Sequence, residues 1–259
     1  MKFLKLLIIP LSLILVSVLF LSCSEVRFIS GAGDIITRHY EIENFDEIEI
    51  SSNFKTEIIP SDSYSVTITT YENIFEHIHV SQRENILIIE MQPGSFTNAS
   101  RVVEIALPEI YRLSLSGAVE GNLKGFRNSD SFILQESGAS SLDIDMETGD
   151  IQITASGASN VTGQINTLNI NMELSGASTA ELTGSADNVV LEISGASRAG
   201  LENFLAEDVA ANVSGASTVN VNINGRLDAD VSGASTLNYS GEPVLGSVEV
   251  TGASSLNPQ

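Results

Sequence analysis

Four kinds of residue in this 259-residue chain have chemistry beyond holding a fold. The first is serine in a recurring tetrapeptide. Ser-Gly-Ala-Ser begins at Ser137, Ser156, Ser175, Ser194, Ser214 and Ser232, with Ser116-Gly117-Ala118-Val119 before them and Thr251-Gly252-Ala253-Ser254 after. A serine becomes a nucleophile when a neighbouring base takes its proton. No copy stands in the Gly-x-Ser-x-Gly elbow that exposes such a serine, and the chain has only 3 histidines to act as bases. Repetition without a base favours a structural turn. The second kind is carboxylate: Asp143, Asp145, Glu147, Asp150, Glu173, Glu181, Glu192, Asp228 and Asp230 all alternate with apolar neighbours. Polysaccharide hydrolysis needs two carboxylates at a set separation, and Asp143 and Asp145, two apart on a strand, stand about 7 Å apart. Many other acids qualify equally, and no basic cluster in the sequence accompanies them to neutralise an acidic sugar. The third kind is a metal-ligand set, His77 and His79 on one strand face with Glu76 nearby, for which a solvated edge strand is the simpler reading. The fourth is Cys23, the single cysteine, whose thiol can carry a lipid.

The elements that must position these residues are legible from the repeat. Successive copies are 21, 19, 19, 19, 20, 18 and 19 residues apart, and a fixed period near 20 marks a repeat architecture. With each Ser as position zero, positions −5, −3 and −1 are mostly apolar (Ile151, Ile153, Ala155; Val189, Leu191, Ile193). Apolar residues return at +5, +7 and +9 (Leu142, Ile144, Met146; Val219, Val221, Ile223). Strict alternation on both sides of a glycine corner means two short strands per repeat. One pair cannot bury its apolar face alone, but stacked copies can. The expected fold is all-β: a single-chain parallel β-helix or solenoid of two-strand coils, about 19 residues each.

The corner explains its own composition. Gly117, Gly138, Gly157, Gly176, Gly195, Gly215, Gly233 and Gly252 are expected to take positive φ. The alanine that follows is expected to tuck into the bend, and the serines at 0 and +3 to hydrogen-bond along the axis and to corner amides.

Bulk properties narrow the function. Net charge is −21, which excludes nucleic acid and electrostatic docking on an anionic surface. Aromatics are 6% and Trp is absent, as a narrow core of Ile, Val and Leu requires. Lys2 and Lys5, the apolar run Leu6–Leu21 and then Ser22-Cys23 read as an export signal over residues 1–23, ending at a lipidated Cys23. The other reading, an uncleaved anchor helix, has only sixteen apolar residues interrupted by Pro10, short for a span. No second cysteine exists to form a disulfide.

Residues 24–33 read as a tether, 34–115 as an irregular N-terminal β module and 116–259 as the repeat solenoid. Candidate strands in the module are 35–42, 48–51, 55–59, 64–70, 77–80, 86–91, 102–107 and 112–115, with a helical turn at 73–76. Such a module would cap the stack's open core. The Gly-rich start (Gly31-Ala32-Gly33), the Phe45-x-x-Ile48-x-Ile50 strand, the segment Asn85–Glu90 (NILIIE) and the serial Ser-Gly-Ala corners together resemble a bacterial family described as putative auto-transporter adhesins with a head GIN domain. The resemblance covers residues 31–256. It implies an exported or lipid-anchored envelope protein, a β-helix like that of the pectin-lyase superfamily without its catalytic residues, and an adhesive role. The tripeptide Gly-Ile-Asn itself does not occur in this chain.

Three irregularities stand out. Glu136 falls on the inward −1 position, so either the coil bulges there or the carboxylate faces a wet seam. Residues 201–208 break the alternation and should protrude as a loop. Pro258 should blunt the final edge. The reading that follows is a lipid-anchored protein of the cell envelope, at the outer membrane, without cofactor, metal or enzymatic activity. Its polar ladders would meet a glycan or an envelope or host protein. A structural or stress-related spacer is the alternative, and a polysaccharide-acting enzyme the third.

Overall fold

The computed structural model describes residues 28–259. Its strands wind into a parallel β-solenoid of about 19-residue coils with two faces. The entry sheet carries the strand of each coil that leads into the Ser-Gly-Ala corner, and the exit sheet carries the strand that leaves it. In the entry sheet, Arg112–Gly117 is followed by the later halves of Glu120–Glu136 and Ser141–Ala155, then Asn169–Leu174, and onward to Arg226–Val231 and Val244–Val250. The exit sheet runs from the early halves of the same long strands through Asn160–Asn166, Thr218–Ile223 and Thr236–Ser240 to Ser255–Pro258. All these pairings are parallel, so equivalent residues stack directly: Ile153 on Met172, Met172 on Leu191, Leu191 on Ala211.

The core follows the alternation. Ile151, Ile153 and Ala155, Ile170, Met172 and Leu174, and Val219, Val221 and Ile223 are all buried between the two sheets. β-branched and long aliphatic side chains suit the pleat, and burying each fully is worth about 1.5–3 kcal/mol. Residues 201–208 depart from the expected loop. They stay within the strand Arg198–Val213, whose register shifts between Leu201 and Leu205, and Leu201, Phe204 and Ala206 are buried. The extra residue is absorbed as a β-bulge, because it lets Phe204 fill the core instead of leaving a gap.

Residues 34–115 are less foreign to the solenoid than the sequence suggested. Glu47–Ser52 pairs in parallel with Arg112–Gly117 on one side and Ile86–Met91 on the other. Lys55–Pro60 likewise lies parallel between residues 120–123 and Val102–Leu107. Two more coils therefore extend the stack, and their spatial order is inverted: the later segment, 86–107, is the outer coil. Antiparallel strands finish this end. Ser65–Tyr71 pairs with Val102–Leu107 and Ile35–Tyr40, and Ile78–Arg83 pairs with Ile86–Met91. Phe45, Phe54, Ile74 and Phe75 plug the core there, with a 3-10 helix at Glu72–His77. Within 24–33, expected as tether, Phe28–Ser30 forms a short parallel pair with Ser95–Thr97. The opposite end has no such plug among the described residues. Leu245, Val248 and Val250 continue the core rows of Leu227, Ala229 and Val231 and are 38–49% exposed in the last described coil.

Candidate functional site

The corner row is the most regular surface of the molecule. All eight predicted corner glycines have φ between 73° and 83°. From Ala139 onward each corner alanine N–H donates to the glycine carbonyl of the preceding coil, as in Ala158 to Gly138, Ala177 to Gly157 and Ala196 to Gly176, each 2.7 Å, whereas Ala118 donates to the Ser52 carbonyl at 2.6 Å. A Cβ on Gly195 would lie 2.4 Å from the Gly176 oxygen, so both backbone conformation and the neighbouring coil demand glycine. The alanines are exposed, contrary to expectation. The residue tucked into the bend is the serine at +3: Ser140, Ser159, Ser178, Ser197, Ser217 and Ser235 are all buried. Three of the six hydroxyls turn back on their own corner, those of Ser140, Ser159 and Ser178 donating to the Ser137, Ser156 and Ser175 carbonyls at 3.1, 2.8 and 2.9 Å. Along the axis, Ser217 Oγ donates to the Gly195 carbonyl at 3.5 Å and Ser235 Oγ accepts from the Ser217 N–H at 3.4 Å, while Ser197 Oγ has no partner among the described residues. A buried hydroxyl hydrogen-bonded to backbone, with no imidazole in reach, is a turn element and has nothing to attack.

The outward acids are largely engaged. Asp143 pairs with Lys124 at 2.9 Å, Asp145 with Arg127 at 2.7 Å, Glu181 with Arg198 at 2.8 Å and Asp228 with Arg226 at 2.6 Å. The hydrogen bond from Arg226 holds the Asp228 carboxyl well below the ordinary range, at about 2, helped by the Ser247 N–H. The sequence reading expected no basic cluster beside the acids, and the cations that do meet them stand singly. They are few but each is placed one coil from, or beside, its acid. Each of these four carboxylates is thus met by a single cation.

Glu136 contradicts both sequence readings of its position. It stacks in register between Leu115 and Ala155, is only 2% exposed and has no hydrogen-bond partner on either oxygen. There is neither bulge nor wet seam, and burial pushes its carboxyl up to about 8. His77 and His79 do not share a face. His77 ends the 3-10 helix, is buried and lies 3.4 Å from Gln92 Oε1, whereas His79 is exposed opposite Glu90. No group of three or more His, Cys, Asp or Glu that could hold a metal occurs among the described residues. Cys23 lies outside them.

The surface best suited to a ligand is the outer face of the entry sheet. Sequence reasoning had no signal for it beyond the alternation itself, since it draws one residue from each of several coils. Outward positions −6 and −4 form two rows, Asp150, Asn169 and Asn188 beside Ile133, Gln152, Asn171 and Val190. Asn188 Nδ2 donates to Asn169 Oδ1 at 2.8 Å, and Asn169 Nδ2 donates to Asp150 Oδ1 at 2.6 Å. This fixes the amides as a rigid ladder. Together with Tyr111, which is 40% exposed, these residues line a groove of about 380 Å³. A larger depression of about 740 Å³ at the far bend is lined by Asp130, Glu147 and Asp150, with no aromatic side chain.

The comparisons with known proteins come to the same architecture. No curated protein matches the chain. A solved structure of a "putative adhesin" from Parabacteroides merdae superposes with a TM-score of 0.83 at 15% identity, covering 90% of this chain and 99% of that one. A "putative lipid binding protein" from Parabacteroides distasonis gives 0.86 at 18%, covering 90% and 100%. A "putative adhesin" from Parabacteroides distasonis gives 0.83 at 14%, with the same coverages of 90% and 100%. Identities this low speak for the fold alone. The family described as "Putative auto-transporter adhesin, head GIN domain" matches residues 44–243; these span most of the cap, the inverted coils and nearly all the repeats, and the chain belongs to that family.

Proposed function

We propose that the protein is a lipid-anchored binding module of the cell envelope that contacts a glycan through the outer face of its entry sheet. The observation that carries this reading is the groove of Tyr111, Ile133, Gln152, Asn171 and Val190 beside the Asn188–Asn169–Asp150 ladder. A sugar presents apolar C–H faces and closely spaced hydroxyls. An exposed phenol ring and aliphatic side chains meet the former, and side-chain amides held by their neighbours meet the latter without losing much freedom on binding. Few polar groups in a mostly apolar groove is the usual composition of a small-molecule site. The family's name and the adhesin titles of its structural relatives support an envelope role. Anchoring is carried by the sequence: the basic n-region, the apolar run and Cys23. A glycan array probed with residues 24–259, beside a pull-down from envelope extracts, tests the reading. Glycan binding that Tyr111→Ala weakens at least tenfold, with an unchanged melting temperature, is the expected result. Absence of any glycan signal would favour the spacer, and retention of binding in Tyr111→Ala would move the site off this face.

A further inference from the structure

The outermost coil departs from the rule of the corner row. The inward +3 slot holds serine in the repeats, Val119 and Phe54 in the next two coils, and Arg101 in the coil made by Ile86–Met91 and Val102–Leu107. Arg101 is 7% exposed. Of its five N–H donors, the Nε donates to the Asn53 carbonyl at 2.7 Å, while the buried Nη1 has no partner. No carboxylate pairs with it among the described residues, in a chain of net charge −21 where acids are abundant. A buried charge left without a counter-charge is costly unless something supplies one, and burial correspondingly lowers the Arg101 pKa.

The coil also opens beside Arg101. From Met91 to Val102 the chain takes a wide path, so no tight corner covers Ser52, which is why a non-glycine residue with φ of 89° fits there. The space left is a pocket of about 550 Å³, lined by Arg101 with Met91, Gln92, Pro93, Phe96 and Ala118 among others. Phe96 is flanked by two basic groups, the Arg101 guanidinium 5.7 Å and the His77 ring 5.4 Å from its centroid.

We propose that this end pocket binds an oxyanion, carboxylate or phosphate, carried on a short apolar body. The Arg101 guanidinium donates to the oxyanion, supplying the missing counter-charge, and Met91, Pro93 and Phe96 cover the apolar part. Guanidinium forks match both oxyanion geometries. The site is separate from the entry-sheet groove and does not depend on it.

Titration of residues 24–259 with inorganic phosphate, acetate, octanoate and octanol, followed by calorimetry and by amide NMR shifts, tests the proposal. Saturable octanoate binding is expected, at least tenfold tighter than acetate, with no comparable binding of octanol. Shifts should concentrate at residues 92–96 and 117–118. Arg101→Met should weaken octanoate at least tenfold. Phosphate binding at the same residues would assign the head-group preference to phosphate and keep the site. Equal affinity for acetate and octanoate would overturn the apolar half of the proposal. Lack of saturable binding by phosphate and octanoate, or shifts confined to other residues, would overturn all of it. The wild-type shift map stands even if Arg101→Met does not fold.

Discussion

At the residue scale, the sharpest consequence belongs to Glu136. Its carboxyl is raised from 4.5 to about 8 by burial, so the folded chain keeps a proton that the unfolded chain loses. The folded state binds more protons between these values, and stability falls as pH rises from about 4.5 to about 8, with a slope of up to about 1.4 kcal/mol per pH unit. Glu136→Leu, which gives this coil the residue Leu174 provides two coils on, should raise the melting temperature at pH 8 and flatten that dependence. Urea midpoints of both proteins at pH 5 and pH 8 measure it; parallel pH dependence would mean the carboxylate has found a partner. The corner offers a second test. Gly195→Ala sets a Cβ against the Gly176 carbonyl at positive φ and should cost more than about 2 kcal/mol. Ser178→Ala removes one buried hydroxyl hydrogen bond and should cost about 1 kcal/mol. Denaturant midpoints rank the pair, and a serine variant at least as damaging as the glycine variant would contradict this account of the corner.

At the element scale, register decides everything, because one residue's slip exchanges core for solvent. Leu191 is fully buried between Met172 and Ala211, while Glu192 points outward. Leu191→Asp should unfold the central coils, since an unpaired charge in a dry core costs about 3–5 kcal/mol. Glu192→Ala should change stability by less than about 0.5 kcal/mol. Similar losses in circular-dichroism melts of the two variants would refute the register. The repeats were legible in the sequence because period two and a glycine every 19 residues are local signals. The two coils at 47–60 and 86–107 were not, for physical reasons. Ser52 replaces the corner glycine where the space beside it is open, and the inverted order of these coils is a matter of long-range pairing that no local pattern records. Glu136 was visible as an anomaly, but only its neighbours Leu115 and Ala155 show that it lies dry. Of the candidate site, the acids could be read as outward. That single cations accompany them, and that Tyr111 joins Asn188 across several coils, depends on stacking.

At the scale of the whole molecule, one end of the solenoid is plugged by antiparallel strands and aromatic side chains, and long ordered faces run from there to the last described coil. Phe28–Ser30 lies at the plugged end, beside Ser95–Thr97, and follows Cys23 by five residues in the sequence. An anchor at Cys23 would therefore hold the plugged end toward the membrane. Intact-mass spectrometry of the membrane-extracted protein should find an N-terminus at Cys23 carrying diacylglyceryl and acyl groups, the multiple chains that stable anchoring needs. A cleaved, lipid-free chain would contradict the anchor. The central claim is that the entry sheet's outer face is the binding face. Hydrogen–deuterium exchange of residues 24–259, with and without the glycan that the array selects, tests it most directly. Exchange should slow in residues 131–135, 150–154, 169–173 and 188–192, the strands that line the groove, and stay unchanged across the exit sheet. Protection confined to the exit sheet or the corner row, with those four segments unaffected, would contradict the account.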